Sequence, residues 1–346
     1  MTTASADSKL QPAAPPEESV TAVLLGLTAA ATYSIANMAL RDLARPEAGI
    51  GWDMWVSGTK AIPTFLVAVA FILYRRLRSL GSFAEWSFVR PIAIAAIFNQ
   101  IGGNFAFQLS LKYIGLAVSV PICFASIICS GAVAGRLVIG DRVTLRTAAS
   151  IAVMMTAIIF LSSGARARTI NDDAGEVAPA DAEFTDSVLS VLPGVTAAVI
   201  SGLSYGVSGV YIRHAVRSKM PIAGTLFLFS GAGFLTLCPA SLTQLSTAEI
   251  LQISWPEWRT IIVAGTFNAL GFFSITAAMK QLNISRANVI NASQNAMCAA
   301  GAVLVFGEPI STAALVGIVL TIGGLLLLGI PVRGIRRKPR ITQQPE

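Results

Sequence analysis

Charge is what this sequence has least of: Asp, Glu, Lys and Arg make up 12% of its residues, where an ordinary globular chain carries about 25%. Histidine occurs once, at His214, and the four cysteines, Cys123, Cys129, Cys238 and Cys298, stand apart without a C-x-x-C pair. They read as small apolar packing residues, neither a metal site nor a disulfide framework. No H-E-x-x-H, G-x-S-x-G or P-loop pattern occurs, so the signatures of a zinc protease, a serine hydrolase and an ATP-driven pump are missing. The expectation is of a chain that is not an enzyme and uses no metal and no cofactor.

What the chain has is apolar length. It is 54% hydrophobic with a mean hydropathy of +0.69. Stretches matching the roughly 20 residues of a membrane-crossing helix recur near 19–40, 53–74, 89–111, 116–139, 145–163, 188–212, 221–243, 260–279, 287–306 and 312–331. They lack the two-residue alternation of barrel strands and are rich in Ala, Leu and Gly, as helices packed in lipid are. The fold class is therefore all-α integral membrane, with ten transmembrane helices. Residues 1–18 lack the basic stretch, apolar core and cleavage site of a signal peptide, and read as a disordered cytoplasmic tail before an uncleaved first helix.

Basic residues set the expected orientation. With the N-terminus inside, the cytoplasmic side collects Lys9, Arg75, Arg76, Arg78, Arg90, Arg136, Arg142, Arg146, Arg213, Arg217, Lys219, Lys280, Arg286 and the basic stretch from Arg333 to Arg340. The outer side keeps Arg41, Arg45, Lys112, Arg166, Arg168 and Arg259. That bias puts both termini in the cytoplasm of a multi-pass cell-membrane protein. The net charge of +7 then faces anionic lipid, and the bilayer, not nucleic acid, is the partner. Trp52, Trp55, Trp86, Trp255 and Trp258 all fall near span ends, the headgroup level that tryptophan prefers.

The two halves repeat each other. "YSIANMALRDLAR" from Tyr33 aligns with "YGVSGVYIRHAVR" from Tyr205 without a gap; "FNQIGGNFAFQLSLK" from Phe98 parallels "FNALGFFSITAAMK" from Phe267; "IGDRVT" at 139–144 parallels "FGEPIS" at 306–311. The organisation is thus a first repeat at 19–164, an acidic external linker at 165–187, a second repeat at 188–331 and a basic cytoplasmic tail at 332–346. Each repeat holds five spans, an odd number, so the second is inverted relative to the first, the arrangement on which secondary transporters build alternating access.

On these residues the chain resembles the drug/metabolite transporter superfamily, in particular the EamA-type carriers of ten helices in two five-helix repeats. The shared pattern is a polar third helix, an apolar fourth, an acidic turn after it ("GD" at 140, "GE" at 307) and a Gly-containing fifth. The resemblance implies a secondary active transporter, commonly an exporter, of a small metabolite such as an amino acid or an amphipathic compound. An integral-membrane enzyme acting on a lipid or small substrate is the alternative class. Asp141, where relatives commonly have Glu, and Lys60, near where many carry Arg, depart from the pattern.

An amide without a partner in hydrocarbon costs roughly 2–7 kcal/mol, so the polar residues inside the spans need an interior. Asn288, Asn291 and Asn295, spaced by three and four, share one helical face with Gln294 on its flank. Asn295 lies about 13 Å beyond Arg286, near mid-bilayer. Gln100, Asn104, Gln108 and Lys112 form a second stripe, and Asn99 and Asn268 sit mid-span in matching places. Tyr33 and Tyr205 are paired by the repeat. These amides either line one cavity or join helices, which is worth about 0.6 kcal/mol each on average. Lys60, the only ionisable residue well inside a span, either faces that cavity, where it could hold a carboxylate or phosphate, or snorkels towards Asp53. The candidate substrate-binding set is Tyr33, Lys60, Asn99, Gln100, Asn104, Tyr205, Asn268, Asn291, Gln294 and Asn295. Asp141 and Glu308 precede Thr144 and Ser311 at new helix starts and read as caps. Gly131 with Gly135, and Gly202 with Gly206, give small-xxx-small faces for packing within the bundle, or for a homodimer interface.

Overall fold

The computed structural model describes residues 20–45, 47–141, 144–145, 148–157, 159–160, 180–218, 220–306 and 312–329. Both tails, Glu308 and linker residues 165–179 lie outside them. Every regular element among the described residues is helical: α1 (Val20–Asp42), α2 (Ile50–Thr59), α3 (Ile62–Leu77), α4 (Trp86–Phe98), a π-helical segment (Asn99–Phe105), α5 (Ala106–Ile139), α6 (Ala148–Ala157), α7 (Ala180–Ser218), α8 (Ile222–Ser241), α9 (Thr247–Leu251), α10 (Trp255–Ala278), α11 (Ile284–Asn291), α12 (Gln294–Phe306) and α13 (Thr312–Gly329).

Among the described residues, seven stretches are long and apolar enough to cross a membrane: Val20–Asp42, Ile50–Leu77, Trp86–Leu116, Val118–Ile139, Leu192–Ser218, Ile222–Ser241 and Trp255–Ala278. Shorter apolar helices, α6, the α11–α12 pair and α13, occupy the other three apolar segments of the sequence. The turn between the third and fourth segments is made at Gly115, whose φ of 67° no residue with a Cβ adopts easily. α7 begins at Ala180, inside the stretch expected to be linker.

Large apolar side chains point outward, with Leu66 60%, Leu137 79% and Leu304 84% exposed, a surface suited to lipid and costly in water. The inside combines large side chains such as Phe229, Ile92 and Ile128 with many small ones. α1 buries Ala22, Gly26, Ala29, Ala30, Ser34 and Ala36, so its backbone comes close to its neighbours. A Cβ on Gly206 would sit 2.7 Å from the Ile127 carbonyl oxygen and 2.9 Å from the Gly131 amide nitrogen. This face of α7 is therefore spent on α5, within the bundle.

Helix contacts repeat when the halves are exchanged. α1 packs on α10 as α7 packs on α4 and the π segment; α1 packs on α12 as α7 packs on α5; α3 packs on α10 as α4 packs on α8; and α2–α3 lie against α8 across the centre. The fifth segment meets the last where Ser150 Oγ donates to the Gly324 carbonyl at 2.7 Å. A duplicated unit facing its inverted copy has this pattern of neighbours, and it leaves the interior between the copies.

Candidate functional site

Three segments lose regular α winding at the middle of the bundle. Between α2 and α3, Pro63 stands in the first turn of α3 and has no N–H to offer the Thr59 carbonyl, and the chain tightens around Lys60 and Ala61. In the third segment, Asn99–Phe105 widens into a π-helix, a form found mostly at functional sites. Between α11 and α12, the amides of Ser293, Asn295 and Ala296 bond three residues back, to Ile290, Ala292 and Ser293. Irregular backbone at membrane depth is tolerated where it is buried in protein or lines a cavity.

All three irregular stretches border one cavity, with roughly 1070 Å³ of non-atom space including its mouth. Tyr33, Lys60, Asn99, Gln100, Asn104, Tyr205, Asn268, Asn291 and Gln294 line it, with Asn37, Thr64, Ser230 and Asn288 between them. Phe107, Phe124, Ile127, Phe272, Ile275 and Met279 supply its apolar wall. Both halves contribute, and the repeat pairs Tyr33 with Tyr205 and Asn99 with Asn268 meet here.

Asn295 does not join them. It is buried, its Nδ2 donating to the Ala292 carbonyl at 2.8 Å and its Oδ1 without a partner among the described residues. The reason is winding: with three residues per turn, Gln294 falls directly beneath Asn291, and Asn295 overshoots the face. The second stripe divides likewise. Gln100 and Asn104 stay at the cavity, while beyond the π turn Gln108 donates to the Leu40 carbonyl at 3.4 Å and Lys112 pairs with Asp53 at 3.3 Å.

The amides that remain form a chain. Tyr205 Oη donates to Asn104 Oδ1 at 2.8 Å, Asn104 Nδ2 to Gln100 Oε1 at 2.7 Å, and Gln100 Nε2 to the Phe229 carbonyl. Gln100 fits because Gly233 opposite has no side chain: a Cβ there would be 2.7 Å from Gln100 Oε1. Val56-Ser57-Gly58-Thr59-Lys60 and Phe229-Ser230-Gly231-Ala232-Gly233 are corresponding stretches of the facing α2 and α8. Lys60 therefore has glycine as its counterpart, and the symmetry is broken at one charge. Asn37 Nδ2 donates to Gln294 Oε1 at 3.3 Å, joining the first helix to the ninth segment.

Lys60 is 3% exposed and lines the cavity, whereas Asp53 is engaged by Lys112, so snorkelling towards Asp53 is not what the side chain does. Thr64, one turn on, was not among the expected residues; its signal was its i+4 spacing from Lys60 across a proline.

Ionic contacts lie towards both ends of the bundle. At one end Asp53 meets Lys112, and Arg45 pairs with Glu257 and lies 4.6 Å over the Trp52 ring. At the other end Arg213 pairs with Asp141 and donates to the Leu282 carbonyl at 2.8 Å, while Asp141 accepts the Ile284 amide at 3.2 Å. Asp141 thus caps α11, a helix of the opposite half, where the expectation was the helix that follows it in the chain. His214 lies against Phe88.

The site is thus a polar cavity between two helical halves, bordered by broken helices, with an ion pair towards each end of the bundle. Residues 192–330, in the second half of the chain, match the EamA-like transporter family, which is part of the drug/metabolite transporter superfamily. A solved crystal structure, titled only as that of a protein, shares the fold with a TM-score of 0.60 at 19% identity, over 89% of this chain and 96% of its own. Among curated proteins none matches the sequence.

Proposed function

We propose that the protein is a secondary active carrier that exports a small amphipathic metabolite across the cell membrane by alternating access, with both termini cytoplasmic and without catalysis. The observation that carries this reading is the meeting of three broken segments, from both halves, at one polar cavity, with a separate ion pair towards each end of the bundle. Breaks free backbone groups for a ligand at mid-depth. Such pairs at opposite ends can open one at a time, as one half rocks against the other.

The test is counterflow in liposomes reconstituted with the full chain. A labelled solute, selected because it raises the melting temperature of the purified protein, is expected to accumulate transiently against excess internal unlabelled solute. A channel would equilibrate it without an overshoot, and a membrane enzyme would return it chemically altered. Either result would replace the carrier reading.

A further inference from the structure

Among the described residues, Lys60 is the only basic side chain that lines the cavity, and no acidic side chain lines it. Its ammonium has no hydrogen-bond or ion-pair partner among the described residues, and the acid seven residues before it, Asp53, is held by Lys112. One turn further on, Thr64 is 2% exposed and lines the same cavity, and its Oγ1 also lacks a partner. Elsewhere in this wall, amide groups such as those of Gln100 and Asn104 bond one another. The two unsatisfied donors therefore sit together, i and i+4, beside the break at Pro63.

On the carrier reading, we propose that Lys60 and Thr64 form the head-group subsite for a singly charged organic oxyanion, a carboxylate with an apolar body lying against Phe124, Ile127, Phe272 and Ile275. Charge counting selects this class. A neutral solute leaves a buried ammonium without a counter-charge, which is costly in a low-dielectric interior. A phosphate dianion brings two negative charges to one positive and leaves the second unmatched. A free amino acid satisfies Lys60 but adds an ammonium that finds no carboxylate in the cavity. A monocarboxylate without an amine leaves no charge over. The Thr64 hydroxyl gives the second carboxylate oxygen its donor, and the ring and Ile surfaces cover the hydrocarbon.

The experiment uses the purified full chain and three bodies, hexanoate, 3-phenylpropanoate and 1-naphthylacetate, each beside its neutral primary amide, with phenylalanine as the zwitterion matched to 3-phenylpropanoate. Melting temperature and titration calorimetry are read for each. At least one carboxylate is expected to stabilise the protein, with its amide, and phenylalanine against 3-phenylpropanoate, at least about tenfold weaker, the size of one charge-assisted hydrogen bond. Lys60→Met should abolish that preference, Lys60→Arg should keep part of it, and Thr64→Val, which removes an unpartnered hydroxyl, should fold normally and bind the carboxylate more weakly. Amides or phenylalanine binding as tightly as the carboxylates, no carboxylate binding at all, or an unchanged preference in folded Lys60→Met would each overturn the proposal. Carboxylate binding that depends on Lys60 but gives no counterflow would uphold this subsite and overturn the carrier reading instead.

Discussion

Asn104 has every reason to be kept apart from Asn295, although both are carboxamides at similar depth. Asn104 receives from Tyr205 and gives to Gln100, so removing it strands two buried groups. Asn104→Leu is expected to cost about 1–3 kcal/mol, seen as a lower melting temperature in detergent, together with weaker ligand binding because Tyr205 and Gln100 are freed to move. Asn295 has only a bond to its own helix and an Oδ1 without a partner. Asn295→Leu should leave melting unchanged or raise it and leave binding untouched; a binding loss there would return Asn295 to the site. The sequence shows which side chains need partners, because an amide or an ammonium in hydrocarbon is expensive whatever its surroundings. It does not show where each points. Lys60 was readable as important from its charge alone, but its direction depended on Lys112, 52 residues away in the chain, occupying Asp53 first.

At the scale of helices, regular winding is legible and departures from it are not. The stripe through Asn288, spaced by three and four, and the stripe of period four through Gln100 look continuous in sequence, and both lose register where the winding tightens at Ser293 or widens at Asn99–Phe105. Proline marks one such place, at Pro63; neither of the other two contains a proline. Close approach, by contrast, is written in glycine. Gly206→Ala would drive a Cβ into backbone atoms of Ile127 and Gly131, and backbone cannot swing aside as a side chain can. About 1–3 kcal/mol of destabilisation is expected, measured by thermal melting. Gly323→Ala, in α13 with nothing within 4 Å of the added methyl, is the matched control and should be neutral or slightly stabilising, because alanine is the better helix former. Equal losses at the two positions would show that helix propensity, not contact, governs.

For the molecule as a whole, the duplication was the most informative thing in the sequence, since three anchors in one order constrain every span at once. The contacts exchanged between halves agree with it. Handedness to the membrane is a separate matter, carried by how the basic residues divide between the two sides. It is testable through two loops that the repeat makes equivalent, the one after α3 and the one after α8. Gly81, with open space around it, and Thr243, exposed beyond α8, are each replaced by cysteine in a chain whose own four cysteines have been changed to alanine. If the repeats are inverted and the N-terminus is cytoplasmic, an impermeant maleimide added to intact cells labels Thr243→Cys and spares Gly81→Cys, and permeabilising the cells exposes both. The reverse pattern would keep the inversion and turn the protein over in the membrane. Labelling of both from the same side would mean the halves run parallel, and the basis for alternating access between inverted units would be gone.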